Sequence, residues 1–399
     1  MKTAVFVGEY PGYSLTFVDA QIRALLEDGN DVEIYAERKP VGRVPKPPEF
    51  LTQVKVHYEL MPESFVARLK GLVAGWSWRW PAFRALNPWS FGRDAISLRS
   101  VWSAQAWPSG QYDFVLCHFG PHGRKAVLAR AAGLIEGPVV TVFHGNDLYT
   151  YPKQFRFPIY KPLIEKGDLF FCISERGREQ LQKMGCPGDR IEVLRMGVDT
   201  ELFCPGDRKR GERVRILTVA RLVESKGICT AMKAMAGIEF DYEWHLVGTG
   251  PMEEELRQEA SQLGVSERVR FRGALSVAEV REELQLSDLF VLTPEEDRNG
   301  EIEGIPVALM EAMACELAVV STRHSGIEEL IEDGCSGLLA MEGDIDSVRA
   351  AIQIALADRG RREALGRAAR QKVKRDFDLT FWNRRLIDRA REISREWSS

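Results

Sequence analysis

Two carboxylates eight residues apart, Glu303 and Glu311, bracket the segment of this 399-residue chain best suited to chemistry, Glu303-Gly304-Ile305-Pro306-Val307-Ala308-Leu309-Met310-Glu311-Ala312-Met313-Ala314. The Gly-Ile-Pro after the first acid predicts a loop that becomes a helix at Pro306. Val307 to Ala314 is apolar nearly all round, the pattern of a buried helix. A carboxylate on such a helix costs several kcal/mol unless it is partnered. A ligand rich in hydroxyls would be such a partner. A run of eight helical residues rises about 12 Å, roughly the length of a nucleotide-sugar from ribose to sugar ring. The free amides at the helix start suit phosphate or sugar oxygens. The plainer alternative is one solvated loop acid and one core acid that is capped or salt-bridged.

Cations of matching chemistry precede these acids. Arg221 and Lys226 flank the loop in Ala220-Arg221-Leu222-Val223-Glu224-Ser225-Lys226-Gly227, after a predicted strand, where α/β sheets bind ligands. A planar guanidinium and a mobile ammonium both suit a diphosphate. The alternative is a surface pair of cations neutralised by Glu224. Gly248-Thr249-Gly250-Pro251-Met252-Glu253 also follows a strand, but Glu253 stands where a dinucleotide fingerprint needs its third glycine, so a tight strand-to-helix turn is the plainer reading. In the first half, Phe143-His144-Gly145-Asn146-Asp147 ends one strand and His118-Phe119-Gly120 ends another. Each histidine is either a loop hydrogen-bonder or a site residue. The first loop, Gly8-Glu9-Tyr10-Pro11-Gly12-Tyr13-Ser14, holds two glycines that permit close backbone approach. Asp344-Ile345-Asp346 and Asp376-Phe377-Asp378 have the Asp-x-Asp form of some metal-dependent transferases. Both fall at predicted helix boundaries, where Asp caps amides. With no His/Cys cluster at zinc spacing, no essential metal and no cofactor are expected.

The elements that must position these residues alternate strand and helix. Ala4–Val7, Val32–Ala36, Phe114–Cys117, Val139–Phe143, Leu169–Ile173 and Ile191–Leu194 read as strands of one parallel sheet. Gly197 to Arg213, rich in Gly, Pro and charge, breaks the pattern and marks a boundary. A second alternation follows, with strands at Val214–Ala220, Trp244–Val247, Val269–Phe271, Leu289–Leu292 and Ala318–Val320, and a capping box at Ser276 to Glu279. The expected domains are 1–200, 201–376, and a terminal helix over 377–399.

The phrase from Glu303 through Val319-Val320-Ser321-Thr322-Arg323-His324-Ser325-Gly326-Ile327, with Arg221-Leu222 and Lys226-Gly227, resembles the signature of retaining glycosyltransferases of family 4, most closely bacterial exopolysaccharide transferases of the colanic-acid and amylovoran type. The resemblance spans nearly the whole chain and implies the GT-B fold: two Rossmann-like α/β domains facing a central cleft, with the C-terminal helix crossing back to the N-terminal domain. It implies transfer from a nucleoside diphosphate sugar, UDP-sugar favoured over GDP-sugar, to a glycan or lipid-linked acceptor. Catalytic roles would fall to His144, Glu303, Arg221 and Lys226. Donor contacts would come from Arg221, Lys226, Leu275, Glu303, Gly304, Ile305 and Glu311, with Glu303 at the sugar and Glu311 at the ribose hydroxyls. The acceptor side would include Tyr13, Ser14 and His118. Tyr13 and Ser14 stand near the family's commoner double glycine, and the acidic loop Glu295 to Glu301 is longer than the family pattern. The other readings are a sugar-nucleotide epimerase of related fold and a non-catalytic nucleotide-sugar binder.

The net charge of -4 gives no basic field for nucleic acid. Seven scattered cysteines without Cys-x-x-Cys, no apolar run of membrane-spanning length and no leader-like start lead to the expectation of a cytoplasmic protein. Between Ser64 and Tyr112 lie Trp76, Trp78, Trp80, Trp89, Trp102 and Trp107, with Arg68, Lys70, Arg79, Arg84, Arg93 and Arg99. Trp with Arg suits a membrane interface, so this segment is expected to touch the inner leaflet. The alternative is a helical insertion that packs its aromatics inward.

Overall fold

Apolar runs buried on both faces become parallel strands. The first half contributes β1 (Lys2–Glu9), β2 (Asp31–Arg38), β3 (Lys55–Tyr58), β4 (Gly110–Gln111), β5 (Phe114–His118), β6 (Ile135–Glu136), β7 (Val139–Phe143), β8 (Leu169–Cys172) and β9 (Ile191–Val193). Seven of them form one parallel sheet in the order β3-β2-β1-β5-β7-β8-β9, and β4 with β6 form a small second ladder. Every residue of β5, β7 and β8 is buried. This computed structural model describes all residues except 13–14, 41–47, 60, 63, 74–83, 86, 88–92, 107–108, 156–157 and 207–212.

The second half contributes β10 (Val214–Val219), β11 (Tyr242–Val247), β12 (Val269–Gly273), β13 (Leu289–Val291), β14 (Ala318–Thr322) and β15 (Leu338–Ala340). They pair in parallel in the order β12-β11-β10-β13-β14-β15. This is the doubly wound dinucleotide-domain order, and it reverses direction between β10 and β13. The chain divides into two units, one comprising Met1–Cys172, Gly177–Leu194 and Asn383–Ser399, the other Ile173–Arg176 and Arg195–Trp382.

Helices Ile345–Ala357, Arg359–Asp376 and Leu379–Ser398 close the chain. Asp344 accepts from the amides of Asp346 and Ser347, and Asp378 accepts from the amide of Phe381, so both acids cap helices. Asp376 is held instead by Lys372 and Arg375. The last helix begins in the second unit, and from Asn383 onward it packs in the first. There Leu386, Ile387, Ala390 and Ile393 are buried. Arg391 forks onto both Asp28 oxygens at 2.6 and 2.7 Å, and Arg389 meets Glu192 at 2.7 Å.

Within the tryptophan-rich segment, Trp76, Trp78, Trp80, Trp89 and Trp107 lie outside the described residues, as does Arg79. The described residues include inward anchors. Arg68 is buried and donates to the carbonyls of Pro62 and Ser97 at 2.7 and 3.0 Å. Trp102 lies so close over Gly71 that a Cβ there would fall 2.6 Å from its ring. Phe65, Val66 and Leu69, on helix Phe65–Val73, are exposed by 46%, 57% and 45%. Among the described residues no helix is long and apolar enough to cross a membrane.

Candidate active site

Where strand order reverses, the loops leaving the two central strands diverge and open a crevice at their carboxyl ends. In the second unit those loops follow β10 and β13. They carry Arg221 and Lys226 on one side and Glu295 to Glu303 on the other. The sheet alone therefore brings together residues about eighty positions apart. Lys226 Nζ meets Glu303 Oε2 at 2.6 Å, with the two side chains only 14% and 28% exposed. Glu224 does not neutralise the cations; it binds Arg298 Nε at 2.6 Å. Arg221 stays exposed, and its guanidinium has no hydrogen bond or ion pair among the described residues.

Glycines hold the cationic loop against its neighbours. Gly227 adopts φ +63°, and a Cβ there would strike the carbonyl of Thr293. Thr293 Oγ1 in turn donates to the Gly227 carbonyl at 2.8 Å. Gly248 and Gly250 pack so tightly that a Cβ on either would run into the carbonyls of Ala220 and Leu222, respectively. The amide of Leu222 donates to Thr249, and that of Met252 to Leu222. The Gly248 turn thus spends its glycines on supporting the Arg221 loop, which accounts for them without a dinucleotide.

The helix that carries Glu311 runs Val307–Ala314 with Pro306 at its N-cap, as the sequence suggests. Leu309, Met310, Ala312, Met313 and Ala314 are buried, and Ile305 joins the same core while Leu275 packs at its margin. Gly304 is half-buried between them in sequence. Glu311 has no side-chain partner among the described residues. Burial alone pushes its carboxyl up to about 7. Among the described residues nothing caps it or pairs with it, unlike the capped or salt-bridged core acid of the plainer reading.

Two residues that spacing alone does not pick out anchor the acidic loop. His324, on the loop after β14, is 2% exposed. Its Nε2 accepts the amide of Glu303 at 3.0 Å, and its Nδ1 lies 2.9 Å from Glu342 Oε2. Glu342, after β15, accepts the amide of Glu296 at 2.6 Å with its other oxygen. His324 lies inside the phrase that follows Glu311, but its partner depends on β13, β14 and β15 being neighbours. Glu295 accepts from Thr230 at 2.7 Å, and burial pushes its carboxyl up, with Glu342 and Glu224 adding to the rise.

The first unit presents its own cluster at strand ends. His118 closes β5 and His144 follows β7, with Nδ1 and Nε2 3.3 Å apart and the rings stacked at 5.5 Å. Phe17 and Phe119 each lie 4.6 Å from the His144 ring. Burial drives His118 down to about 3 and His144 well below the ordinary imidazole range, so both are neutral near pH ~7. Among the described residues, His118 Nε2 and His144 Nδ1 are buried without a hydrogen-bond partner. Asp147 folds the loop by accepting from the amides of Gly120, His144 and Gly145, each at 2.9 Å. Tyr13 and Ser14 lie outside the described residues. Among the described residues no group of three or more His, Cys, Asp or Glu is placed to hold a metal ion.

Comparison with known proteins bears on family and fold. Residues 16–202 match the family model described as Glycosyltransferase Family 4, and residues 204–372 match Glycosyl transferases group 1. The chain is 34% identical to WcaL of Salmonella typhimurium, a candidate colanic acid biosynthesis glycosyltransferase, over 98% of this chain and 100% of that one. It is 33% identical to the amylovoran biosynthesis glycosyltransferase AmsK of Erwinia amylovora, over 97% and 98%. The fold matches that of Anabaena HepE, crystallised with UDP and glucose, with a TM-score of 0.72 at 18% identity over 97% and 98% of the two chains.

Proposed function

The chain belongs to glycosyltransferase family 4, and from that premise we propose that it moves a sugar, with retention, from a nucleoside diphosphate sugar to a hydroxyl of a glycan or lipid-linked oligosaccharide in exopolysaccharide synthesis. The observation that carries the reading is the meeting of Lys226 and Glu303 at the sheet's switch point, together with an unpartnered Glu311 on the following helix. UDP-sugar is the favoured donor and GDP-sugar the second.

In this proposal Arg221 and Lys226 take the diphosphate and stabilise its charge as it leaves. Glu311 accepts the ribose hydroxyls, and Glu303 and His144 orient the sugar. The bond between the anomeric carbon and the β-phosphate oxygen breaks, and its electron pair leaves with the diphosphate. The acceptor oxygen bonds on the same face, and its proton passes to the departing phosphate oxygen. A neutral His144 suits hydrogen bonding to a sugar hydroxyl rather than proton donation. The two protein cations take the role a divalent ion plays elsewhere, so turnover is expected to survive EDTA. The acceptor is proposed to be reached at the inner leaflet, where the exposed Phe65, Val66 and Leu69 beside Lys70 suit a lipid surface.

Calorimetry with UDP, GDP, ADP and NAD in EDTA, with Glu311→Ala as control, tests the reading. UDP or GDP is expected to bind without metal, and the variant to lose that binding. Binding of NAD alone would overturn it.

A further inference from the structure

We propose that His324 is a positioning residue of the donor-sugar pocket, aiming Glu303 through its backbone and locked in one tautomer by Glu342. The inference rests on the transferase reading above and deepens it. A backbone N–H is always a donor, so the 3.0 Å contact from Glu303 fixes Nε2 as an unprotonated acceptor. The ring proton of the neutral imidazole then sits on Nδ1, where it donates to Glu342 Oε2 at 2.9 Å. Glu342 Oε1 takes the amide of Glu296 at 2.6 Å. One histidine and one carboxylate therefore tie down both ends of the loop between Glu296 and Glu303. Glu303 is the residue whose carboxylate holds Lys226 at 2.6 Å. A shift of its backbone would swing that carboxylate away from both the cation and a sugar hydroxyl.

The arrangement is specific to a neutral ring. Protonation would place Nε2–H against the Glu303 N–H, donor facing donor, and release that end of the loop. The charged and titratable groups around the ring are Glu342 after β15, Glu295 and Glu303 after β13, and Lys226 after β10 on Glu303. Arg176 is also near, reaching the Ser325 carbonyl at 3.5 Å. Burial to 2% exposure keeps water from substituting for the lost bond.

Three substitutions separate the two arms. Gln can present its amide oxygen where Nε2 stood, Asn can reach only the Nδ1 side, and Ala reaches neither. UDP release from UDP-glucose is the probe, with UDP calorimetry and melting temperature alongside. His324→Ala and His324→Asn are expected to lower kcat about 10- to 100-fold, with KM and UDP affinity changed by less than about threefold. His324→Gln is expected to recover most of kcat. Equal rates for Ala and wild type would overturn the proposal. So would an Ala defect that follows UDP affinity and melting temperature alone, or Gln no better than Asn. Absence of UDP release from the wild type would count against the transferase reading instead. In that event long-range 15N–1H spectra of the His324 ring still decide the relay: Nδ1–H is expected, and Nε2–H refutes it.

Discussion

Replacing Glu311 by Gln should make the ligand-free protein more stable and its nucleotide binding weaker, two effects of opposite sign from one atom change. The carboxyl is pushed from 4.5 to about 7 by burial, with no partner among the described residues to offset it. That rise corresponds to roughly 3 kcal/mol in favour of the neutral acid. The side chain keeps some solvent access, which lowers the effect to about 1–3 kcal/mol. In the unfolded chain Glu311 ionises near 4.5, while in the folded chain it holds its proton until about 7. Between these values the folded state binds the extra proton, so wild-type stability falls as pH rises through this window and then levels off. The Gln variant carries no such penalty. The quantity to measure is the stability difference between the two proteins, by urea unfolding at about pH 5 and about pH 8. It should grow by about 1–3 kcal/mol in favour of Gln at the higher pH. UDP binding at the higher pH should weaken at least about tenfold, as expected for loss of charge-assisted bonds to ribose hydroxyls. A stability difference that does not change with pH, or unchanged UDP affinity, would refute the assignment of Glu311 as a carboxylate waiting for hydroxyls.

The remaining expectations concern the supports of the same site. Lys226→Ala should cut kcat/KM by about 10²–10³-fold while barely moving the unfolding midpoint, because the pair with Glu303 is partly exposed; a midpoint loss matching the rate loss would refute a catalytic role. Gly250→Ala adds one methyl against the Leu222 backbone and should cost about 1–3 kcal/mol by displacing the Arg221 loop; calorimetry should show UDP affinity falling with it, and unchanged affinity would sever that turn from the site.

Parts of this architecture were legible in the sequence for a physical reason. A strand buried on both faces, such as Val139–Phe143, must be apolar throughout, so its run stands out. Edge strands lack that constraint: Lys55–Tyr58 is mostly half-exposed, and Leu338–Ala340 is three residues long, so neither was expected. The site divides in the same way. Glu303, Glu311, Arg221 and Lys226 stood out through the resemblance of their phrases to family 4, whereas their types and spacing alone left plainer readings open. The His324–Glu342 pair was hidden, since nothing local in Arg323-His324-Ser325 tells which neighbour the ring meets. That follows from the order β13-β14-β15, which is a property of the sheet. The tryptophan segment shows the limit of composition. Arg68, counted among the cations for a lipid surface, turns inward to carbonyls.

The acidic loop also has an internal closure. Asp297 accepts the amides of Asn299 and Glu301 on one carboxylate oxygen, its carbonyl takes the Gly300 amide, and Gly300 supplies the φ of +73° that lets the chain reverse. The turn over 297–301 therefore closes largely on itself, and it is tied to the frame at Glu296, at Glu303 and through Arg298 to Glu224. Such a module can be exchanged, lengthened or shortened while Lys226, Glu303 and Glu311 stay where the sheet puts them. In protein engineering terms it is a cassette: other turns could be grafted between its ties, with Arg298 kept for Glu224, without redesigning the fold that carries it.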